Sequence, residues 1–541
     1  MGPLSARRTT TLELGAVALL LTIVAAAVYG PQAIHGGFLS DAWSNRALYV
    51  FAEADGFFGK IGELAEQSNI SPRPLQAVYL VAMNSVFGSH VGWWLTWQVA
   101  TNVAMCLALF LLLRRLTLSA FDAGAISLLV LLFPAASSIR FWLATLWAPV
   151  TIALVCSGFL LALMAFEASD RRRALLLHAV SLACFVTSVL LYETALLIML
   201  ASVLLYRLRV PWGPAIRRWI VDCVVLGGLT LTVTLASEAG HVGTEAGALS
   251  HGRAIAEGAR VLFTTVVLPL NSANWYILAL LALIPAGALL AWRALREGDP
   301  ARPELLRWLL AMAGGLVVVA LGYAIYAPGT DYYTPLGPGI GNRVNAVPSI
   351  GWVLVLYAGF MLLATMATRG LPRARLAASA FAGLACALIA IGWLKPVHDY
   401  SDHFTRAYEE DVRVLATMKR SLPQPRPEST IWTFGQAVEV VPGVPIFGNS
   451  WDMTSSVKLT YDDPTLVSLV AYPETTFECG RSTVEPGGPR WDLEPDGLYG
   501  SRYGKTYFVD TNTGKVTRID SPAQCRQARR EFAPSPEYLP L

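Results

Sequence analysis

Charge is scarce in this chain. Only 15% of its 541 residues are Asp, Glu, Lys or Arg, against about 25% in soluble domains. With 54% hydrophobic residues and a mean hydropathy of +0.49, so much apolar surface does not fit a water-soluble core. The net charge is only +3, so binding to nucleic acid has no electrostatic support. Histidine is sparse as well: seven residues, scattered and with none at ligand spacing, which argues against a protein metal site. There is no phosphate-binding Walker loop, no dinucleotide Gly motif after a strand, no His-Glu-x-x-His and no paired Cys-x-x-Cys. No internal repeat and no low-complexity segment is visible.

What the chain does have is long apolar runs, and about 20 apolar residues span a bilayer as helix. Eleven spans are expected: 11–29, 93–113, 120–136, 147–166, 174–191, 194–208, 219–236, 276–292, 308–326, 347–368 and 376–394. The stretch Leu75–Phe87 is apolar but short, and Gly88-Ser89-His90 interrupts it; a half-embedded helix suits it better than a span. Arg7 and Arg8 precede the first span, and Val28-Tyr29-Gly30-Pro31 is a poor cleavage site, so that span reads as a retained anchor. With the N-terminus inside, the inner loops carry 18 Lys/Arg and the outer loops 7, in line with the positive-inside rule. An odd span count then puts the tail outside.

The tail, 395–541, reads as a second domain after the membrane domain 1–394. It holds 15 of the 32 prolines, a density that forbids long helices. Residues 507–519 read as a β-hairpin around an Asn/Gly turn. Residues 430–434 and 465–471 also look like strands, and Phe404–Arg420 looks like a linking helix. A mostly-β domain on the outer face is expected. Five of the seven cysteines lie in apolar runs, and only Cys479 and Cys525 lie in the tail. Two cysteines alone in an exported domain predict one disulfide.

The remaining signal is a set of polar residues at the outer ends of spans. Asp41 follows the first span directly, flanked by Phe38, Leu39 and Trp43. In a partly dry pocket such a carboxylate suits a general base toward an alcohol. Arg73 sits between Pro72 and Pro74, which fix the backbone. A rigid outer Arg suits a phosphate oxyanion, or else a lipid headgroup. Arg343 in Gly341-Asn342-Arg343-Val344-Asn345 has the same two readings, and Arg140 beside Phe141 and Trp142 is a third candidate. Glu193 lies between two apolar runs with almost no loop. It is either a membrane-depth functional acid or part of a tight turn reaching water. His178 reads as a packed residue. Trp43, Trp142, Tyr333 and other outer aromatics fit an interfacial belt, with some suited to stacking on sugar rings.

This layout resembles the GT-C superfamily of integral membrane glycosyltransferases. The resemblance rests on Asp41-Ala42-Trp43 after span one, on Arg73-Pro74-Leu75 before a helix ending in Phe87-Gly88, on Tyr192-Glu193 in a tight turn, and on Arg343 before a late span. An outer C-terminal β domain also looks like several members. The resemblance implies a polyprenyl-phosphate-linked sugar donor, an extracytoplasmic glycan or cell-envelope acceptor, contact with membrane lipids, and residence in a bacterial inner membrane. It implies catalytic Asp41 and Glu193, with Arg73, Arg343, Arg140 and Trp43 around the substrate and lipid phosphate. No cofactor is implied. Many members carry two adjacent acids where this chain has Ser40-Asp41, which speaks against a two-carboxylate or metal-assisted version. A glycan polymerase or ligase using His241 and His251, and a transporter of lipid-linked glycans, are the competing readings.

Overall fold

The computed structural model describes residues 3–68, 70–236, 247–267, 301–328, 333–368, 373–472, 476–487 and 500–539. Eight described helices are long and apolar enough to cross a membrane: Thr11–His35, Val91–Arg115, Leu143–Phe166, Arg171–Leu191, Trp212–Ala236, Arg302–Ala324, Pro348–Thr368 and Ala374–Ser421. They match eight of the eleven expected spans. Of the other three, 276–292 lies outside the described residues. The second is a helix of only 13 residues, Ala120–Leu132. The third is broken into Leu196–Leu200 and Ser202–Arg207. The stretch set apart as half-embedded is a 14-residue helix, Pro74–Phe87.

The broken segment persists because the helix Trp212–Ala236 supplies partners for it. Trp219 Nε1 donates to the Leu200 carbonyl at the break (2.7 Å), and Tyr206 Oη donates to Asp222 (2.7 Å). Backbone and polar groups freed within a bilayer need such answers. Asp122 is treated likewise: it accepts from Ser119, Tyr357 and Ser379, so one carboxyl joins three helices. The helices Arg302–Ala324 and Pro348–Thr368 touch through glycine. A Cβ at Gly315 would lie 2.8 Å from the Gly351 carbonyl, and one at Gly351 would lie 2.5 Å from that of Gly315. Small residues at this crossing let the two backbones meet.

The helix Ala374–Ser421 has 48 residues, about 72 Å at 1.5 Å per residue, more than twice the ~30 Å hydrocarbon core. Its second half therefore stands clear of the membrane. One buried stripe runs its whole length, through Ala382, Ala390, Trp393, Val397, Phe404, Ala407, Asp411, Val414 and Met418. Pro396 lies inside the helix and the helix passes it, because the stripe continues on both sides. The boundary expected at 394/395 thus falls within a continuous rod that carries the tail.

The tail is β-rich, as expected, with a parallel core the sequence reading did not foresee. Strand β1 (Thr430–Phe434) is central and buried, consistent with its β-branched and aromatic residues. It pairs in parallel with β4 (Val467–Val470) and with β8 (Thr506–Asp510), and β8 pairs antiparallel with β9 (Val516–Ile519), which is the expected hairpin. A small hairpin of β2 (Glu439–Val441) and β3 (Val444–Pro445) precedes the helix Ser450–Tyr461, which leads back to β4. A second sheet holds β5 (Thr476–Cys479), β6 (Thr483–Gly487) and β7 (Ser501–Arg502). Cys479 and Cys525 form the expected disulfide, Cα–Cα 5.8 Å, tying β5 to the helix Pro522–Glu531.

Candidate active site

Arg73 is the residue before Pro74, which opens the helix Pro74–Phe87; proline at that position presets the first turn. Glu193 opens a 3-10 turn, Glu193–Ala195, because Tyr192 is extended (φ −168°, ψ 116°) and ends the preceding helix. Gln76 Nε2 donates to the carbonyl of Leu191 (2.9 Å), so the two elements are stitched beside the charged pair. Arg73 Nε donates to Glu193 Oε2 (2.7 Å) and Arg73 Nη2 to Oε1 (2.5 Å), a bidentate ion pair. The guanidinium also lies over the Tyr192 ring, 5.0 Å from its centroid.

Arg343 reaches the same cluster from the 3-10 turn Ile340–Asn345. Its Nη2 donates to Tyr333 Oη (3.2 Å), and its guanidinium lies over the rings of Tyr333 (4.9 Å) and Trp142 (5.3 Å). Two asparagines hold that turn. Asn342 donates to Ser137 Oγ (2.9 Å) and accepts from the Ser138 backbone (3.1 Å), while Asn345 donates to the carbonyls of Ala135 (2.6 Å) and Pro335 (2.9 Å). Tyr326 stacks on Tyr333 at 5.2 Å and lies beside Tyr192.

Burial alone would raise the Glu193 carboxyl. The Arg73 charge and hydrogen bonds, helped by Arg343, hold it below the usual carboxylate range instead. Burial likewise opposes charge on Arg73, and Glu193 more than restores it. Both groups are half-buried, and their side chains remain 29% and 36% exposed, so solvent reaches the pair. Arg73 is bonded to the Glu193 carboxylate and the Arg343 charge acts on it from nearby, among three tyrosines.

Asp41 starts the helix Asp41–Val50, directly after Ser40 at φ 48°. A positive φ on a buried serine stores strain next to the acid. Trp142 Nε1 donates to the carbonyl of Leu39 (3.1 Å), so the ring beneath Arg343 also holds the turn that ends in Asp41. Asp41 Oδ1 accepts from Trp451 Nε1 of the tail (2.9 Å). The expected flanking residue Trp43 has other partners: its ring packs on Phe38, and Nε1 donates to buried Asp411 on the long helix (2.9 Å). Arg140 is also turned inward. It is 3% exposed and donates to the carbonyls of Val130, in the last turn of the helix Ala120–Leu132, and of Phe133 and Ala136 just beyond it. It anchors the backbone and has no donor directed at a phosphate.

The structure thus joins Arg73, Glu193 and Arg343, places Asp41 two residues from a carbonyl that contacts the cluster, and turns Arg140 and Trp43 to structural work. Sequence reasoning left Tyr326, Asn342, Asn345, Asp411 and Trp451 without roles. The Asn342 and Asn345 pair bracketing Arg343 was the one local signal available. His178 packs edge-on against Phe166 (5.1 Å), as expected of a core residue, and His251 faces the Ala327 carbonyl (3.3 Å). His241 lies outside the described residues. Among the described residues no group of three or more His, Cys, Asp or Glu gathers.

No family model and no curated protein matches the chain. Among solved structures, the chain is similar to ArnT from Cupriavidus metallidurans in the apo state, at 12% identity over 86% of this chain and 86% of that one, with a TM-score of 0.42.

Proposed function

We propose that this protein is a membrane glycosyltransferase. It moves a sugar from a polyprenyl-phosphate donor to an extracytoplasmic glycan or cell-envelope acceptor, with inversion. The carrying observation is the gathering of Arg73 and Arg343 about a single carboxylate, Glu193, with the Arg73–Glu193 pair still reachable by solvent. Two guanidiniums held in fixed positions suit a departing phosphate, whose negative charge grows as the glycosidic bond breaks.

Asp41 is the general base. One oxygen is held by Trp451, and the other takes no protein hydrogen bond among the described residues. The acceptor hydroxyl gives its proton to that carboxylate as its oxygen bonds to the anomeric carbon. The bond from that carbon to the phosphate oxygen breaks on the opposite face, and polyprenyl phosphate leaves against Arg73 and Arg343. Glu193 takes no proton in this scheme: a carboxylate committed to two guanidinium hydrogen bonds positions Arg73 instead.

The test is transfer in vitro. Purified wild-type and Asp41→Asn proteins receive radiolabelled polyprenyl-phosphate sugars and crude cell-envelope glycan. Label reaching glycan with wild type, reduced about 10²–10⁴-fold in the variant, supports the reading. Absence of transfer, together with flipping of a lipid-linked glycan across vesicles, overturns it in favour of a transporter.

A further inference from the structure

The tail meets both ends of the site. Gly443, in the β2–β3 turn, accepts from the Ile340 backbone (2.9 Å), at the turn that carries Arg343. Opposite, the helix Ser450–Tyr461 packs on the helix that opens with Asp41. There Trp451 is held at two points: its indole N–H donates to Asp41 Oδ1 (2.9 Å), and its carbonyl accepts from Ser44 Oγ (3.2 Å). Ser455 of the same helix donates to Ser44 (3.3 Å). Trp451 is nonetheless 38% exposed. A large aromatic side chain fixed in orientation without being buried is a preorganised surface, and ligand contact with it costs little ordering.

We infer that Trp451 completes the acceptor site: its N–H orients Asp41, and its open ring is the platform on which the acceptor's sugar ring lies. This rests on the glycosyltransferase reading for Asp41. An apolar ring face beside a carboxylate oxygen matches the two chemistries of a sugar, with C–H groups on its faces and hydroxyls at its rim. A sugar lying on the indole brings a rim hydroxyl toward the open Asp41 oxygen. The tail is then part of the reaction centre.

The experiment uses the full-length protein in nanodiscs. In Trp451→Phe the ring stays and the N–H is lost, so kcat falls roughly threefold to tenfold with acceptor KM within twofold. In Trp451→Ala acceptor KM also rises roughly tenfold, while donor KM holds. A merely structural role would shift donor KM and the thermal midpoint as well. In parallel, oxidation of Trp451 by N-bromosuccinimide is mapped on tail peptides with and without crude cell-envelope glycan, and glycan protects the ring. Wild-type acceptor KM in Trp451→Ala, or no protection, overturns the inference. Protection without any transfer leaves Trp451 as a glycan platform and removes the base role from Asp41, which separates the two failures.

Discussion

Two carboxylates at the ends of spans meet different partners. Glu193 is gripped by a guanidinium through two charged hydrogen bonds, whereas Asp41 is steadied by one neutral indole N–H. The contrast supports the roles we propose for them. An acid paired to Arg73 gives up proton affinity and gains the power to aim a cation. An acid on one indole keeps an open oxygen. Both carboxylates sit where a sequence reader suspects catalysis, and only the partners tell base from positioner.

The largest effect that would break this comparison comes from exchanging the two amides. Asp41→Asn keeps an acceptor for Trp451 and loses the base, so kcat falls about 10²–10⁴-fold with donor KM near wild type. Glu193→Gln instead loosens Arg73, so donor KM rises and kcat/KM falls roughly tenfold to a hundredfold. If the two profiles coincide, with kcat lost and KM spared in both, the division of labour is wrong. Arg73→Lys sharpens the same point. Lysine keeps the charge but not the planar fork, and we expect a loss in kcat/KM near that of Glu193→Gln, with no recovery at low salt.

Titration separates the pair next. The folded Glu193 carboxyl lies below its usual value, so its ion pair adds stability above the unfolded value of about 4.3. That stability is lost as pH falls through the lower folded value. The thermal midpoint in detergent should drop below about pH 4.3 in wild type, and the drop should be smaller in Glu193→Gln. Equal slopes would mean that other groups govern acid sensitivity.

Much of the fold was legible because bilayer length, β-branched and aromatic runs beside turn residues, and the placement of cysteines are one-dimensional signals. Eight spans came from the first, the strand 430–434 and the hairpin 507–519 from the second, and the disulfide from the third. The long helix hid its continuity because proline at 396 and a change from lipid to water both look like an ending, while the packed stripe that carries the helix through is tertiary. The site was half legible. Pro72-Arg73-Pro74 and a loopless Glu193 announce cost or rigidity locally, so both stood out. Arg140 and Trp43 looked equally suited to a ligand. Nothing local reveals that carbonyls 4–10 residues back take the Arg140 donors, or that Asp411, 368 positions away, takes the Trp43 N–H. Trp451 is 410 positions from Asp41 and no spacing rule reaches it.

The smallest effect tests the second indole–carboxyl bond. Asp411 is fully buried on the protruding half of the long helix, where burial, and then nearby Asp452, hold its carboxyl well above the usual range. That environment favours the neutral carboxyl, the form in which the Trp43 bond joins two neutral groups. Trp43→Phe should cost only about 1 kcal/mol of stability. Asp411→Asn, matching that neutral form, should be within about 0.5 kcal/mol of wild type at pH 7 and more stable than wild type at alkaline pH. A raised folded value makes the wild-type acid lose stability as pH climbs from the unfolded value through the folded one. An Asp411→Asn protein that unfolds several degrees earlier at pH 7 would show a charged Asp411 instead.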